Sequence, residues 1–404
     1  MRDLQEYEKI VGKNIVDSIR EKAKLLREFH IANVNSTYVG GGVAEILNSI
    51  IPLFNEIGIK MGWRVLHGSD DFFSVTKKIH NALQGAYASL TNEEKLLYEK
   101  TNKIYSTYTH LDDHDLVMVH DPQPLPMIKF YNKKQPWILR IHIDISQPNT
   151  DVWNYIKKFI LKYDGMIVSS KNYIRQDIPI RQMIVYPAID PLSPKNIDMT
   201  GNEVDSELTK FDIPVEKPII SQISRFDKWK DPMGVINIFE KVRKKVDCTL
   251  VLLGNFATDD PEGQKMFESV ERRAMESQFR DDIRVVLVES EKLVNSLQRK
   301  SAVVIQNSVR EGFGLVVAEA LYKGTPVVAS NVGGIRLQIK NGYNGFLIEH
   351  GNYDEFAQRV VYLLKNDNIR RQMGMNGMKF VRENFLITRL MNDWMDIFLR
   401  YLRS

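Results

Sequence analysis

Cysteine is nearly absent: Cys248 is the single thiol in 404 residues, which excludes an intramolecular disulfide. It opens the apolar run Cys248-Thr-Leu-Val-Leu-Leu, a strand pattern in which a buried, inert thiol is expected rather than a nucleophile. No stretch approaches the roughly 18 apolar residues of a membrane-spanning helix, and the opening MRDLQEYEKI has no apolar signal core; a cytoplasmic protein without a membrane partner is expected. No basic run interleaved with aromatics occurs. The 55 Lys and Arg against 51 Asp and Glu leave a formal charge of only +4, which suits small anionic ligands without implying nucleic acid. His110, His120 and His142 fit no zinc spacing, so no metal is expected.

What is present is a chain too long for one ordinary core, with short apolar strands alternating with amphipathic helices in two series. The first series includes Phe29–Val34, Met61–Leu66, Leu116–His120, Trp137–His142, Gly165–Ser170 and Gln182–Pro187. A polar, Pro-containing stretch at 187–218 separates it from a second series that begins at Ile219. The expected fold class is α/β, with two doubly wound Rossmann-like domains facing a deep crevice. The expected boundaries are 1–205, 206–380, and a helical segment 381–404 that crosses back to the first domain. Pro52 predicts a kink or an early end in the helix that follows Gly42.

The run EGFGLVVAEALYKGTPVVAS places Glu311 in a Gly-rich turn and Glu319 eight residues on, inside an apolar helix. A turn that opens a helix presents unpaired N–H groups and positive potential, which suits a phosphorylated ligand. A nearby carboxylate can accept bonds from sugar or ribose hydroxyls. Arg225 and Lys230, in SRFDKWKDP just past a strand, can clamp a diphosphate, the Arg as a fork and the Lys as a point charge. Gly40-Gly41-Gly42 after the first strand allows close approach to phosphates, but it is not a GxGxxG fingerprint and has no P-loop Lys. His120-Asp121 and His142-Ile-Asp144 end neighbouring strands and are expected to meet at one crevice.

With these residues together, the sequence resembles a retaining glycosyltransferase of GT-B type (family 4), the family of glycogen-, sucrose- and trehalose-synthase-like enzymes. VHDPQPLP at 119–126, RIHIDIS at 140–146 and NSVREGFGL at 307–315 are most similar to the trehalose glycosyltransferring synthases, and short runs of this kind also fit trehalose phosphorylases. The resemblance implies that Gly41, Gly42, Arg225, Lys230, Gly314, Leu315 and Val316 contact a donor diphosphate. It places Glu311 on the transferred sugar, Glu319 on the ribose, and His142 near the glucosyl group. Asp121, Gln123 and Asp144 are candidates for sugar hydroxyls; Arg225, Lys230, Glu311 and His142 are the catalytic set. The implied activity is reversible transfer from UDP- or ADP-glucose to free glucose, giving α,α-trehalose, with no added cofactor. Alternatives are a trehalose phosphorylase, another sugar acceptor, or a non-catalytic nucleotide-sugar-binding protein. The loops at 120–126 and 142–151 carry no Lys or Arg, which favours a neutral acceptor. Aromatic and apolar content at 70–110 suggests a homodimer.

Overall fold

Aliphatic and β-branched runs bounded by polar loops form twelve strands among the described residues of the computed structural model, which are 3–39, 41–255 and 261–403. They fall into two compact units, Met1–Ala188 with Ile387–Ser404, and Ile189–Leu386.

In the first unit the strands are β1 (His30–Asn35), β2 (Lys60–Val65), β3 (Leu116–His120), β4 (Trp137–Arg140), β5 (Gly165–Val168) and β6 (Arg181–Ile184). All pair in parallel, in the order β2-β1-β3-β4-β5-β6. In the second unit they are β7 (Ile219–Ile223), β8 (Thr249–Gly254), β9 (Ile283–Leu287), β10 (Ser301–Gln306), β11 (Val327–Ser330) and β12 (Gly345–Ile348). Their order is β12-β11-β10-β7-β8-β9, again parallel throughout. Parallel strands need helical crossovers and are covered on both faces, which is why β3, β4, β7 and β8 are buried at every residue. Each sheet reverses its order once, between β1 and β3 and between β7 and β10. In open α/β sheets, ligands bind beyond the strand ends at these switch points.

Three boundaries differ from the sequence expectation. Residues 189–205 join the second unit rather than the first. The Ile189 N–H donates to Phe385 O at 2.8 Å, and Asn295 Nδ2 donates to Pro194 O at 3.0 Å and Ile197 O at 2.8 Å. Residues 381–386 likewise stay with the second unit, and the first regains the chain at the helix Ile387–Leu402. In that helix Trp394 is buried, its ring 6.3 Å from Phe54 and 6.1 Å from Phe398. The strand expected over 137–142 ends at Arg140, so His142 lies past the ladder. Pro52 neither ends nor shortens its helix, which runs Gly42–Glu56.

The helix Asp367–Asn384 approaches the turn after the helix Leu315–Tyr322 so closely that a Cβ on Gly374 would lie 1.9 Å from Gly324 O. Gly374→Ala is therefore expected to cost about 1–3 kcal/mol in urea denaturation with the far-UV spectrum unchanged. An unaltered midpoint would contradict this packing.

Candidate active site

In the second unit the loops after β7 and β10 converge at the switch point. The first holds Arg225, Lys230 and Asp231, and the second runs from Asn307 to Gly314. The Val309 N–H donates to Trp229 O at 2.8 Å and joins the two. The Lys230 ammonium donates to Glu311 Oε2, both side chains being mostly enclosed, at 14% and 12% exposure. Glu311 Oε2 also accepts from Gln306 Nε2 at 3.3 Å, and Lys230 O accepts from Gln222 Nε2 at 2.7 Å. Arg225 is mostly exposed, its guanidinium 3.7 Å from Asp227.

Gly314 has φ 81 and begins the helix Leu315–Tyr322, whose start has no side-chain cap; Leu315 and Val316 are half-exposed there. A Cβ on Gly314 would press on Glu311 Cγ at 3.1 Å, so glycine serves both the turn and the carboxylate's position. Lys230, Glu311, Gly314, Leu315 and Val316 thus stand together, offering a cation, a carboxylate and uncapped N–H groups.

Glu319 does not join them at the surface. It is fully buried, 3.7 Å from Lys195 Nζ, and accepts from Gln298 Nε2 at 3.2 Å. Lys195 comes from the stretch 187–218, expected from sequence to be a linker.

In the first unit Gly41, with φ 80, precedes the helix Gly42–Glu56, and no side chain caps that start either. Both glycines are exposed, and Gly40 lies outside the described residues. The two polar strand ends do meet. Asp121 Oδ1 accepts from the His142 N–H at 2.8 Å, and His120 Nδ1 lies 3.0 Å from His142 Nε2. Asp144 Oδ1 is occupied by the N–H of Ser146 at 2.9 Å and its hydroxyl at 2.6 Å. Gln123 is half-buried, and its carbonyl accepts from Asn102 at 3.1 Å.

Two cations near these loops escaped the sequence reading because neither belongs to them in sequence: Arg140 ends β4, and Arg175 lies well beyond the second loop. Arg175 Nη1 donates to Ser146 O at 3.2 Å. Arg140 is fully buried and donates to Ser169 Oγ at 3.1 Å; its Nε and Nη1 have no hydrogen-bond partner among the described residues. Burial pushes the Arg140 guanidinium down to about 9. Burial, then the Arg140 charge, takes His120 down to about 3 and His142 well below its ordinary range, where His120 adds to the effect. Burial also raises Asp121 to about 7, against the opposing His142 N–H and Arg140 charge. Both imidazoles are neutral at neutral pH.

The family described as "Trehalose synthase, N-terminal domain" matches residues 33–175, and "Glycosyl transferases group 1" matches 204–380. The chain is 43% identical over 399 residues to a trehalose synthase of Pyrococcus horikoshii, covering 98% of this chain and 96% of that one. The chain belongs to the trehalose synthase family. A trehalose phosphorylase of Grifola frondosa is 29% identical over 99% of this chain but only 61% of its own length. The structure of a sucrose-phosphate synthase from Thermosynechococcus elongatus superposes with a TM-score of 0.72 at 18% identity, over 92% of this chain and 99% of that one. The fold is GT-B, with two Rossmann-like units. Among the described residues, no cluster of three or more His, Cys, Asp or Glu is arranged to hold a metal, and no helix is long and apolar enough to cross a membrane. Cys248 is buried, and burial pushes its thiol up to about 12, which suits the inert role expected of it.

The raised Asp121 carboxyl has a consequence for stability. Its folded value of about 7 lies above the ordinary 3.8, so the folded state holds the proton more tightly. The resulting stabilisation is whole below the unfolded value and is lost as pH rises through the folded one. Asp121→Asn keeps an oxygen for the His142 N–H and suits the left-handed backbone at φ 63. From pH 4 to 8, wild type is expected to lose on the order of 3 kcal/mol relative to this variant in denaturant titrations. A constant difference would show that Asp121 does not titrate in this range.

Proposed function

We propose that the chain is a retaining glucosyltransferase that joins the glucosyl group of a nucleoside-diphosphate-glucose to free glucose, reversibly, and so makes α,α-trehalose. One observation carries this reading: in a chain of the trehalose synthase family, the Lys230–Glu311 pair stands beside an uncapped helix start at a switch point.

In this reading Arg225, Lys230 and the N–H groups of Gly314, Leu315 and Val316 hold the donor diphosphate, and the N–H groups of Gly41 and Gly42 are assigned to it as well. They stabilise the charge that develops as the glycosidic C–O bond breaks. Glu311 accepts from hydroxyls of the transferred glucose. His142, Asp121, Gln123 and Asp144 serve sugar hydroxyls. A ribose reaches Glu319 only by displacing Lys195, so of the expected contacts this one has the least structural support.

The acceptor hydroxyl attacks on the face that the phosphate leaves, and its proton passes to a phosphate oxygen, so no side-chain base is required. A covalent route needs a free carboxylate beneath the anomeric carbon. In this reading Glu311 serves hydroxyls of the transferred glucose instead, and Glu319 is buried. The working compartment we infer is the cytoplasm, and the assembly a homodimer, since Leu96, Ile104 and Tyr108 are exposed within 70–110. Sedimentation would test the latter.

The purified protein, mixed with UDP-glucose or ADP-glucose and free glucose, should yield a non-reducing disaccharide and the nucleoside diphosphate. No disaccharide from either donor, with glucose phosphate formed from trehalose and phosphate, would replace this reading with a phosphorylase. Lys230→Ala should lower kcat by about 10²–10³, the usual cost of one charge-stabilising donor. A change in KM alone would limit Lys230 to binding.

A further inference from the structure

Two strands of the first unit and the loop after a third contribute a chain of polar side chains. Asn33, in β1, is fully buried, and its Oδ1 lies 3.1 Å from His120 Nε2. His120, at the end of β3, is also buried, and its Nδ1 lies 3.0 Å from His142 Nε2. The two rings are 5.3 Å apart and inclined by 21°, and Trp394 covers His120 at 5.9 Å. Asn33 and His120 are 87 residues apart in the chain, so only the fold brings them together.

A neutral imidazole has one N–H and one lone pair. Burial and the Arg140 charge keep both rings neutral; Asp121, the other ionisable group here, holds the His142 backbone N–H. With Asn33 Oδ1 facing it, an oxygen that can only accept, His120 carries its proton on Nε2 and presents a lone pair at Nδ1; Asn33 Nδ2 is buried with no hydrogen-bond partner among the described residues. That lone pair needs a donor, and His142 supplies it from Nε2. The second nitrogen of His142 is then a bare acceptor. The hydrogen bond of the His142 side chain among the described residues is the one through Nε2, and the ring is half-buried.

We propose that Asn33 and His120 are positioning residues that lock His142 in its Nε2–H tautomer, so that Nδ1 offers a lone pair to a hydroxyl of the reacting sugar. The sugar's identity rests on the function proposed above, whereas the tautomer lock does not. The opposite tautomer would offer an N–H, which cannot accept a hydrogen bond from the hydroxyl. Asn33 therefore acts on the sugar without touching it.

The test is long-range nitrogen–proton NMR on the full chain labelled at histidine, at neutral pH. Wild type should show His120 and His142 each protonated at Nε2 alone. A mixture of tautomers, or a proton on Nδ1 of His142, would overturn the proposal before any variant is made. Asn33→Leu, similar in size but with no acceptor, should release both rings into mixed tautomers. It should also lower kcat/KM for disaccharide formation about tenfold, one lost hydrogen bond. Binding of the nucleoside diphosphate alone, by calorimetry, should stay unchanged, which a general loss of folding would not permit. Unaltered tautomers or unaltered kinetics in this variant would count against the assignment. If wild type forms no disaccharide at all, the function proposed above fails, and the spectra still judge the lock.

Discussion

In the second unit one carboxylate fastens the loops on both sides of the switch point. Asp231 adopts left-handed backbone, φ 44 and ψ 57, a conformation that costs a non-glycine residue on the order of 1 kcal/mol or more. Its Oδ1 accepts from the Gly234 N–H at 3.0 Å and caps the helix Pro232–Arg243. Its Oδ2 takes Asn307 Nδ2 at 2.8 Å, Tyr353 Oη at 2.8 Å and His350 Nε2 at 3.3 Å. A Cβ at position 234 would lie 2.2 Å from that oxygen, so Gly234 leaves room for the knot. Lys230 immediately precedes it, and Asn307 begins the loop that carries Glu311. The position of the Lys230–Glu311 pair is thus set by a residue that belongs to neither side of the pair.

The first unit solves the same problem with a different charge. Its buried centre is a cation, Arg140, at the end of β4, with one bond to Ser169. Around it the surroundings favour neutral forms: Asp121 is pushed toward its protonated state and both imidazoles are held uncharged. The two switch points therefore suit different ligands. The second unit offers formal charge and free N–H groups, which match a diphosphate. The first offers neutral donors and acceptors, which match hydroxyls. Arg140 does not alter that division, because it is buried beneath the loops rather than presented by them.

Elements carried by local pattern were readable from the chain. Apolar runs gave the parallel strands, and Gly-rich turns marked two helix starts that carry no side-chain cap. The relation between Lys230 and Glu311, 81 residues apart, was legible only through resemblance, since spacing does not encode a contact between loops. The Asn33–His120 contact and the Asp231 knot were missed for the same reason: each is a cross-strand or cross-loop bond between ordinary polar residues. The first boundary was missed because residues 189–199 look like a linker. Their polar groups are satisfied by Asn295, Lys323 and Phe385 of the second unit, which sequence composition does not reveal. The docked segment also supplies Lys195, 3.7 Å from the buried Glu319.

The enclosed ion pair has a further logic if the proposed roles hold. A cation taken out of water is costly unless paired, so Glu311 keeps Lys230 charged and aimed when no donor is present. A diphosphate is the stronger competitor for that ammonium, having more negative charge and the helix start to support it. As Lys230 turns to the diphosphate, Glu311 Oε2 loses its cation and becomes available to hydroxyls, with Gln306 still holding it in place at 3.3 Å. Recognition of the phosphates and of the sugar are then linked through one side-chain pair. A nucleoside diphosphate lacking its sugar brings no hydroxyl to Glu311, and a free sugar meets a Glu311 still paired with Lys230. In the proposed roles the intact donor satisfies both partners, and neither of its halves does.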